Sequence, residues 1–217
     1  MRVLAINPNS TASMTDGIVE AARAAAAPDV TIDGLTNADA PPAIQGEADG
    51  LVATPGVIAA CEEAADNGYD AAIIACFDDT GLTLARAAAS IPVIGIGQAA
   101  FLIAMLHGGI FTVITTLQVS VGVIEDNLAA YRLTDACARV RASGLPVLAL
   151  EDDPDTARTT LVECARAAAA EDRADALVLG CAGMAPYGRA MYDASGLHAI
   201  DGVAAAVGLA RATLKAS

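Results

Sequence analysis

The order of apolar and alanine-rich segments constrains this chain more than any single residue. "VLAI" (3–6) is followed by "TASMTDGIVEAARAAAA", where Ser10 or Thr11 can cap a helix. "VTIDGL" (30–35) and a Pro/Gly-rich loop, "NADAPPAIQGEADG", come next. "TPGVIAACEEAADNG" then reads as a helix with Pro55 near its start and Gly68 past its end. "AAIIAC" (71–76), a helix over 81–90 and "IPVIGI" (91–96) finish the first half. Strand, helix, strand in this rhythm predicts parallel strands joined by right-handed crossovers, an α/β fold.

The second half repeats the plan. "FTVITT" (111–116) opens it, a long helix covers roughly 117–133, and "ARVRA" (138–142) makes a second strand. A helix over 154–171 precedes "DALVLGC", and "LHAIDG" (197–202) takes the place of "IPVIGI". Asn7 and Thr115 are 108 residues apart, Cys76 and Cys181 are 105 apart, and Gly95 and Asp201 are 106 apart. These closely similar offsets predict a duplication. We expect two similar lobes, each a mainly four-stranded parallel sheet flanked by helices, related by a pseudo-twofold axis with the active site between them. Residues 1–97 with 203–217 would form one lobe and 98–202 the other.

Bulk properties exclude several classes. At 217 residues the chain can bury a core without disulfides or metals. A net charge of −14 argues against nucleic acid and against anionic membranes. The apolar run in "MRVLAINPNS" is too short for a signal peptide, and the stretch 91–106 is too short and too broken for a membrane span. Cysteines 61, 76, 137, 164 and 181 are odd in number and lack CxxC spacing, which fits reduced thiols in the cytoplasm. With His107 and His198 off ligand spacing, no metal is expected.

Cys76, in "DAAIIACFDDTGL", and Cys181, in "DALVLGCAGM", carry the chemistry. A lone free cysteine is usually a packing residue, and Cys61, Cys137 and Cys164, in alanine-rich helical stretches, are read that way. Cys76 and Cys181 instead end the third strand of their respective halves, where open parallel sheets gather ligands. Each precedes an expected helix start, whose N–H groups favour a thiolate or an enolate oxygen. Facing each other across a cleft, two thiols can deprotonate a carbon acid on one face and reprotonate it on the other. Asp78 and Asp79 oppose this, because a nearby carboxylate raises a thiol pKa. Asp79 is therefore expected to turn away and cap the following helix, leaving amides facing the sulfur.

These motifs also carry a family resemblance. "NPNST", "ACFDDTGL" and "GCAGMA", with "PVIGIGQAA", "FTVITT" and "IDGVAAAV", resemble the hydantoin racemase branch of the aspartate/glutamate racemase superfamily over nearly the whole length. The resemblance implies a cofactor-independent racemase with Cys76 and Cys181 as acid/base thiols. Asn9, Thr115 and Thr116 would line the pocket, with Ser10, Phe77, Asp78, Asp79, Ala182 and Gly183 from the same motifs as substrate contacts. It also implies a homo-oligomer acting on a small molecule. The branch more often reads Cys-Phe-Gly-Asp-Pro-Gly; here Asp78 and Thr80 replace the Gly and the Pro, which bears on loop shape and substrate.

Glutamate-type racemases carry Cys-Asn-Thr and Cys-Thr-His, whereas this chain has Cys-Phe-Asp and Cys-Ala-Gly. Arylmalonate decarboxylase-like relatives keep one cysteine of the two. A 5-substituted hydantoin or a related ureide such as allantoin is the expected substrate. An aspartate/glutamate-type racemase and a non-catalytic two-lobed binding protein are the alternatives.

Remaining motifs read as structure. "GIGQAA" (95–100) fits a dinucleotide fingerprint but is fourth in its half and has no acid about twenty residues on, so its glycines are expected to make a turn. "EDDPDT" (151–156) lacks the glycine and glutamate of an EF-hand and reads as a solvated helix start. His107 and His198 read as structural or exposed. Tyr187 and Tyr192 are candidates for the cleft edge.

Overall fold

The computed structural model describes residues 1–216; Ser217, the last residue assigned above to the first lobe, lies outside the described residues. Two four-stranded parallel sheets form its frame. The first half runs β1 (Arg2–Asn7), α1 (Ala12–Ala25), β2 (Thr31–Thr36), α2 (Glu47–Asp66), β3 (Ala71–Ile74), α3 (Leu82–Ala88) and β4 (Val93–Gly95). Helix α4 (Ile96–Ala104) leads into β5 (Phe111–Thr115), α5 (Gln118–Ala130), β6 (Cys137–Ala142), α6 (Ala149–Asp152) and α7 (Pro154–Glu171). The chain ends with β7 (Ala176–Leu179), α8 (Gly188–Ser195), β8 (His198–Asp201) and α9 (Gly202–Ala216). The strand orders, β2-β1-β3-β4 and β6-β5-β7-β8, are the same in the two sheets.

Each central strand is buried on both faces, which is why it reads as an unbroken apolar run. Along β1 the period of two is still visible. Val3 and Ala5 pack with Ile73 against Ile18 of α1 and Val203 and Val207 of α9. Leu4 and Ile6 pack with Ile74 against Val57 and Cys61 of α2. In the second sheet, Val113 and Val178 meet Ile124 of α5 and Phe101 of α4, while Ile114 and Leu179 meet Leu161 of α7. Truncating one such residue, as in Ile73→Ala, costs about 2–5 kcal/mol through lost transfer energy and the cavity left behind. Cys61 is fully buried in this packing and Cys137 and Cys164 are partly buried at its edges.

Three expectations are corrected. Helix α2 begins at Glu47, not near Thr54, so Pro55 lies inside it. The start is fixed by Gly46 at φ 100° and by the Asp49 carboxylate, which accepts the Gln45 N–H at 3.0 Å. Neither Ser10 nor Thr11 caps α1 through its side chain. The Thr11 hydroxyl donates to the Pro42 carbonyl, and Asn9 Oδ1 takes the Thr11 N–H at 2.9 Å. Finally, "GIGQAA" is the first turn of α4 and not a free turn. Its N–H groups are capped from outside: Asp79 accepts from Gly97 at 2.9 Å and from Gln98 at 2.8 Å. Glycine is required at 97, since a Cβ there would sit 2.4 Å from the Phe77 carbonyl oxygen.

Helix α9 packs on α1 and α4, so the chain returns to the first sheet after completing the second. Asp201 caps α9 as Asp79 caps α4, accepting from Val203 at 3.0 Å and Ala204 at 3.3 Å. Among the described residues, no helix is long and apolar enough to cross a membrane.

Candidate active site

Register places the two cysteines on equivalent ground. Ile6 of β1 pairs with Ile74 of β3, and Ile114 of β5 with Leu179 of β7. Cys76 and Cys181 each lie two residues past those strand ends, and both line one cavity of about 30 Å³. That is room for only a water or two. Asn9, Phe77, Asp78, Thr115, Thr116 and Ala182 line the same space. Gly180, just before Cys181, lets β7 end close to β5, since a Cβ there would meet the Ile114 carbonyl oxygen at 2.7 Å.

The first motif is a hydrogen-bonded clasp. Asn7 Nδ2 donates to Asn9 Oδ1 at 2.9 Å and to Thr15 Oγ1 at 3.0 Å, and Asn7 Oδ1 accepts the Asn9 N–H at 3.2 Å. With its oxygen committed, Asn9 turns its amide nitrogen to the cavity, where the soft sulfur of Met14 is its partner at 3.4 Å. A substrate carbonyl would be a much stronger acceptor for that N–H. On the other lobe, the Thr115 hydroxyl donates to the Gly180 carbonyl at 3.2 Å, tying the ends of β5 and β7 together.

Electrostatics separate the thiols. Burial pushes Cys76 well above the ordinary thiol range; the Asp78 charge and Cys181 add to this, while the Thr80 hydroxyl and the Asp78 amide oppose it. Burial pushes Cys181 up to about 11, opposed by the Gly183 amide and reinforced by the charges of Asp78 and Glu151. Each sulfur is thus helped by the N–H two residues further on. The expected role of helix starts needs correcting here. Only Cys181 leads directly into one, the 3₁₀ segment Ala182–Tyr187, whereas α3 begins six residues after Cys76.

The two carboxyls behave differently. Asp79 does turn away, but it caps α4 rather than the helix that follows it. Its Oδ2 also accepts the Tyr131 hydroxyl at 2.8 Å, and it lies outside the lining of the thiol cavity. Burial raises Asp79 to about 6 against these hydrogen bonds. Asp78 stays in the cavity wall, so charge as well as amides faces the sulfurs. Burial and the neighbouring Asp79 push it up to about 7.

Ser10 and Gly183 also lie outside the cavity lining, as do Tyr187 and Tyr192. The Tyr187 hydroxyl donates to the Leu150 carbonyl, and Tyr192 is a surface neighbour of His198. His107 and His198 are exposed. Met14, Ile44, Ser120 and Val147 also line the cavity, without any motif to announce them. Ile44 and Val147 come from the segments after β2 and β6, which meet over the cavity. There Gln45 Oε1 accepts the Val147 N–H at 3.2 Å, and Met14, Ala43 and Val147 form a small apolar cluster. Among the described residues no three His, Cys, Asp or Glu side chains gather as a metal site requires.

The family model for Asp/Glu/Hydantoin racemase matches residues 3–210. The chain belongs to this family. A hydantoin racemase of Rhizobium meliloti is 46% identical over 216 residues, 100% of this chain and 90% of that protein. An allantoin racemase from Klebsiella pneumoniae superposes with a TM-score of 0.96 at 36% identity, covering 100% of this chain and 88% of that one. One from Pseudomonas fluorescens superposes with a TM-score of 0.95 at 38% identity, covering 100% and 92%. The resemblance read from the motifs and the two-sheet α/β fold are both borne out at this level.

Proposed function

We propose that the protein is a cofactor-independent racemase of a 5-substituted hydantoin or a related cyclic ureide such as allantoin, with Cys76 and Cys181 transferring protons on opposite faces of one carbon. The observation that carries this reading is the single small cavity lined by both thiols. One sulfur, as thiolate, takes the proton from the ring carbon. The electron pair moves onto the adjacent carbonyl oxygen as an enolate, for which the Asn9 Nδ2 N–H in the cavity wall is the available donor. The opposite thiol then gives its proton to the other face, and the electron pair returns to carbon. One proton leaves and one arrives, so atoms and charge balance and the configuration inverts.

Cavity chemistry favours a neutral ring over a free amino acid. No Lys, Arg or His lines the space to hold an α-carboxylate, and Asp78 would repel one. For the lobes 1–97 with 203–217 and 98–202, the packing of α9 on the first sheet supports the return of the C-terminal helix to the first lobe, while the 97/98 boundary falls inside α4. A cytoplasmic setting fits five free cysteines. Association into a homo-oligomer fits the exposure of Leu51, Val52, Leu84 and Leu106.

Polarimetry on enantiopure hydantoins, allantoin, aspartate and glutamate tests the reading, with solvent deuterium followed into the chiral carbon. Racemisation of a ureide with deuterium uptake is expected. Racemisation of aspartate or glutamate instead would move the substrate class. Binding without exchange on every compound would leave a two-lobed binding protein.

A further inference from the structure

Two buried side-chain polar atoms among the described residues have no hydrogen-bond partner, and both are on the loop that follows Cys76: Asp78 Oδ2 and Thr80 Oγ1. Leaving such atoms unpaired costs about 1–3 kcal/mol each. They belong to the two residues, Asp78 and Thr80, that the motif resemblance sets apart from the more frequent Gly and Pro. The loop that carries them is fixed. Asn127 Nδ2 donates to the Asp78 carbonyl at 2.8 Å, the Asp79 N–H returns to the Cys76 carbonyl at 3.0 Å, and Asp79 is anchored on α4.

Asp78 also stands on a boundary. It lines the thiol cavity and also an adjoining, more open cavity of about 280 Å³, into which Thr54, Thr80, Asn127 and Tyr131 also face. A carbon held between two sulfurs directs its breaking and forming C–H bonds along the line joining them. Its other three substituents spread sideways. The thiol cavity is too small to keep a ring and a side chain together, so the side chain must leave it.

We propose that Asp78 is the specificity-determining residue of this site: it steers the substituent on the reacting carbon into the adjoining cavity and selects substituents that carry N–H donors, a ureido group above an alkyl or aryl group. The inference rests on the racemase reading and deepens it. A ureido group presents N–H donors to the unpaired Asp78 Oδ2, while its carbonyl can draw the Thr80 hydroxyl from the Cys76 sulfur that it supports. An alkyl or benzyl group would bury the Asp78 oxygen without a partner. Sites built to hydrogen-bond a substrate group discriminate strongly against analogues that lack it.

The test is a ratio. kcat/KM for racemisation of allantoin and of 5-benzylhydantoin is measured by polarimetry for the wild-type protein, Asp78→Gly and the near-isosteric Asp78→Asn. Wild type should favour allantoin. Asp78→Gly should lower the allantoin-to-benzyl ratio by about tenfold or more, and Asp78→Asn, which keeps one acceptor oxygen, should lower it less. The ratio cancels changes in thiol ionisation common to both substrates, and Asp78→Asn guards against a glycine variant that fails to fold. A wild-type preference for the benzyl compound would overturn the proposal. So would a ratio unmoved by Asp78→Gly in an enzyme that racemises both. Wild-type silence on every ureide would overturn the ureide-racemase reading on which the proposal rests.

Discussion

Cys76 and Cys181 end corresponding strands of two sheets with one topology, yet the backbone leaves them in different ways. After Cys181 the chain enters a 3₁₀ segment of small residues, and the Gly183 amide supports the sulfur. After Cys76 it makes a loop with Asp79 at φ 49° and Gly81 at φ 71°, carrying two buried carboxyls. Position is therefore inherited from the duplicated scaffold, whereas acidity is set locally. Cys181 is the more easily ionised thiol, and Cys76 is the better-guarded proton donor.

The largest expected effect tests whether both ends are needed. Cys76→Ser and Cys181→Ser should each reduce racemisation by about 10²–10⁴-fold, the usual size of general acid–base catalysis. If the sulfurs serve opposite faces, each variant should still wash deuterium into one enantiomer, and a different one in each case. Equal washout of both enantiomers by either variant would end the two-sided assignment.

A second prediction separates the loops mechanically. Asp79 receives three hydrogen bonds where Asp201, its counterpart at the start of α9, receives two, so Asp79→Ala should destabilise the protein by about 1–3 kcal/mol per bond left unpaired. A lowered urea midpoint would register this. An unchanged midpoint would mean that the α4 cap does not hold the Cys76 loop.

Thiol order gives a sharper reading of the comparison. Iodoacetamide under mildly alkaline conditions should label Cys181 before Cys76, because alkylation follows the thiolate fraction. Peptide mass spectrometry resolves the two sites, and the reverse order would contradict the electrostatic contrast.

The smallest effect concerns pH. With folded pKa values raised to about 7 for Asp78 and about 6 for Asp79, the native state holds protons that the unfolded chain has released. The stability linked to these groups is fully present below about pH 4, near the unfolded carboxyl value, and is lost as pH rises to about 7. Asp78→Asn should flatten the upper part of that slope in chemical denaturation. It should also move the thiol limb of the pH–rate profile to lower pH, by removing a charge that raises both sulfurs.

Much of this was legible in the sequence, for definable reasons. Strands buried on both faces appear as apolar runs, so "VLAI", "AAIIAC", "FTVITT" and "DALVLGC" marked both sheets, and their offsets paired Cys76 with Cys181. Asn9, Thr115 and Thr116 were marked by the motifs that end β1 and β5. What escaped depends on groups distant in the chain. The start of α4 is stabilised by a carboxylate eighteen residues earlier, Asp79 to Gly97, so local glycines suggested a turn. Met14, Ile44, Ser120 and Val147 reach the cavity only because the lobes meet, and nothing in their immediate sequence signals it.

The two segments that meet over the cavity bear on how a substrate gets in. A ring needs more room than a space for a water or two, so Ile44 and Val147 must give way to it; the segments that carry them are tied by an amide-to-glutamine bond beside the apolar contact of Met14, Ala43 and Val147. These segments cover the cavity only in part, since Cys76 and Cys181 both keep some exposure. Loosening of this contact to admit a ring is thus a step that each cycle needs before the proton shuttle can run.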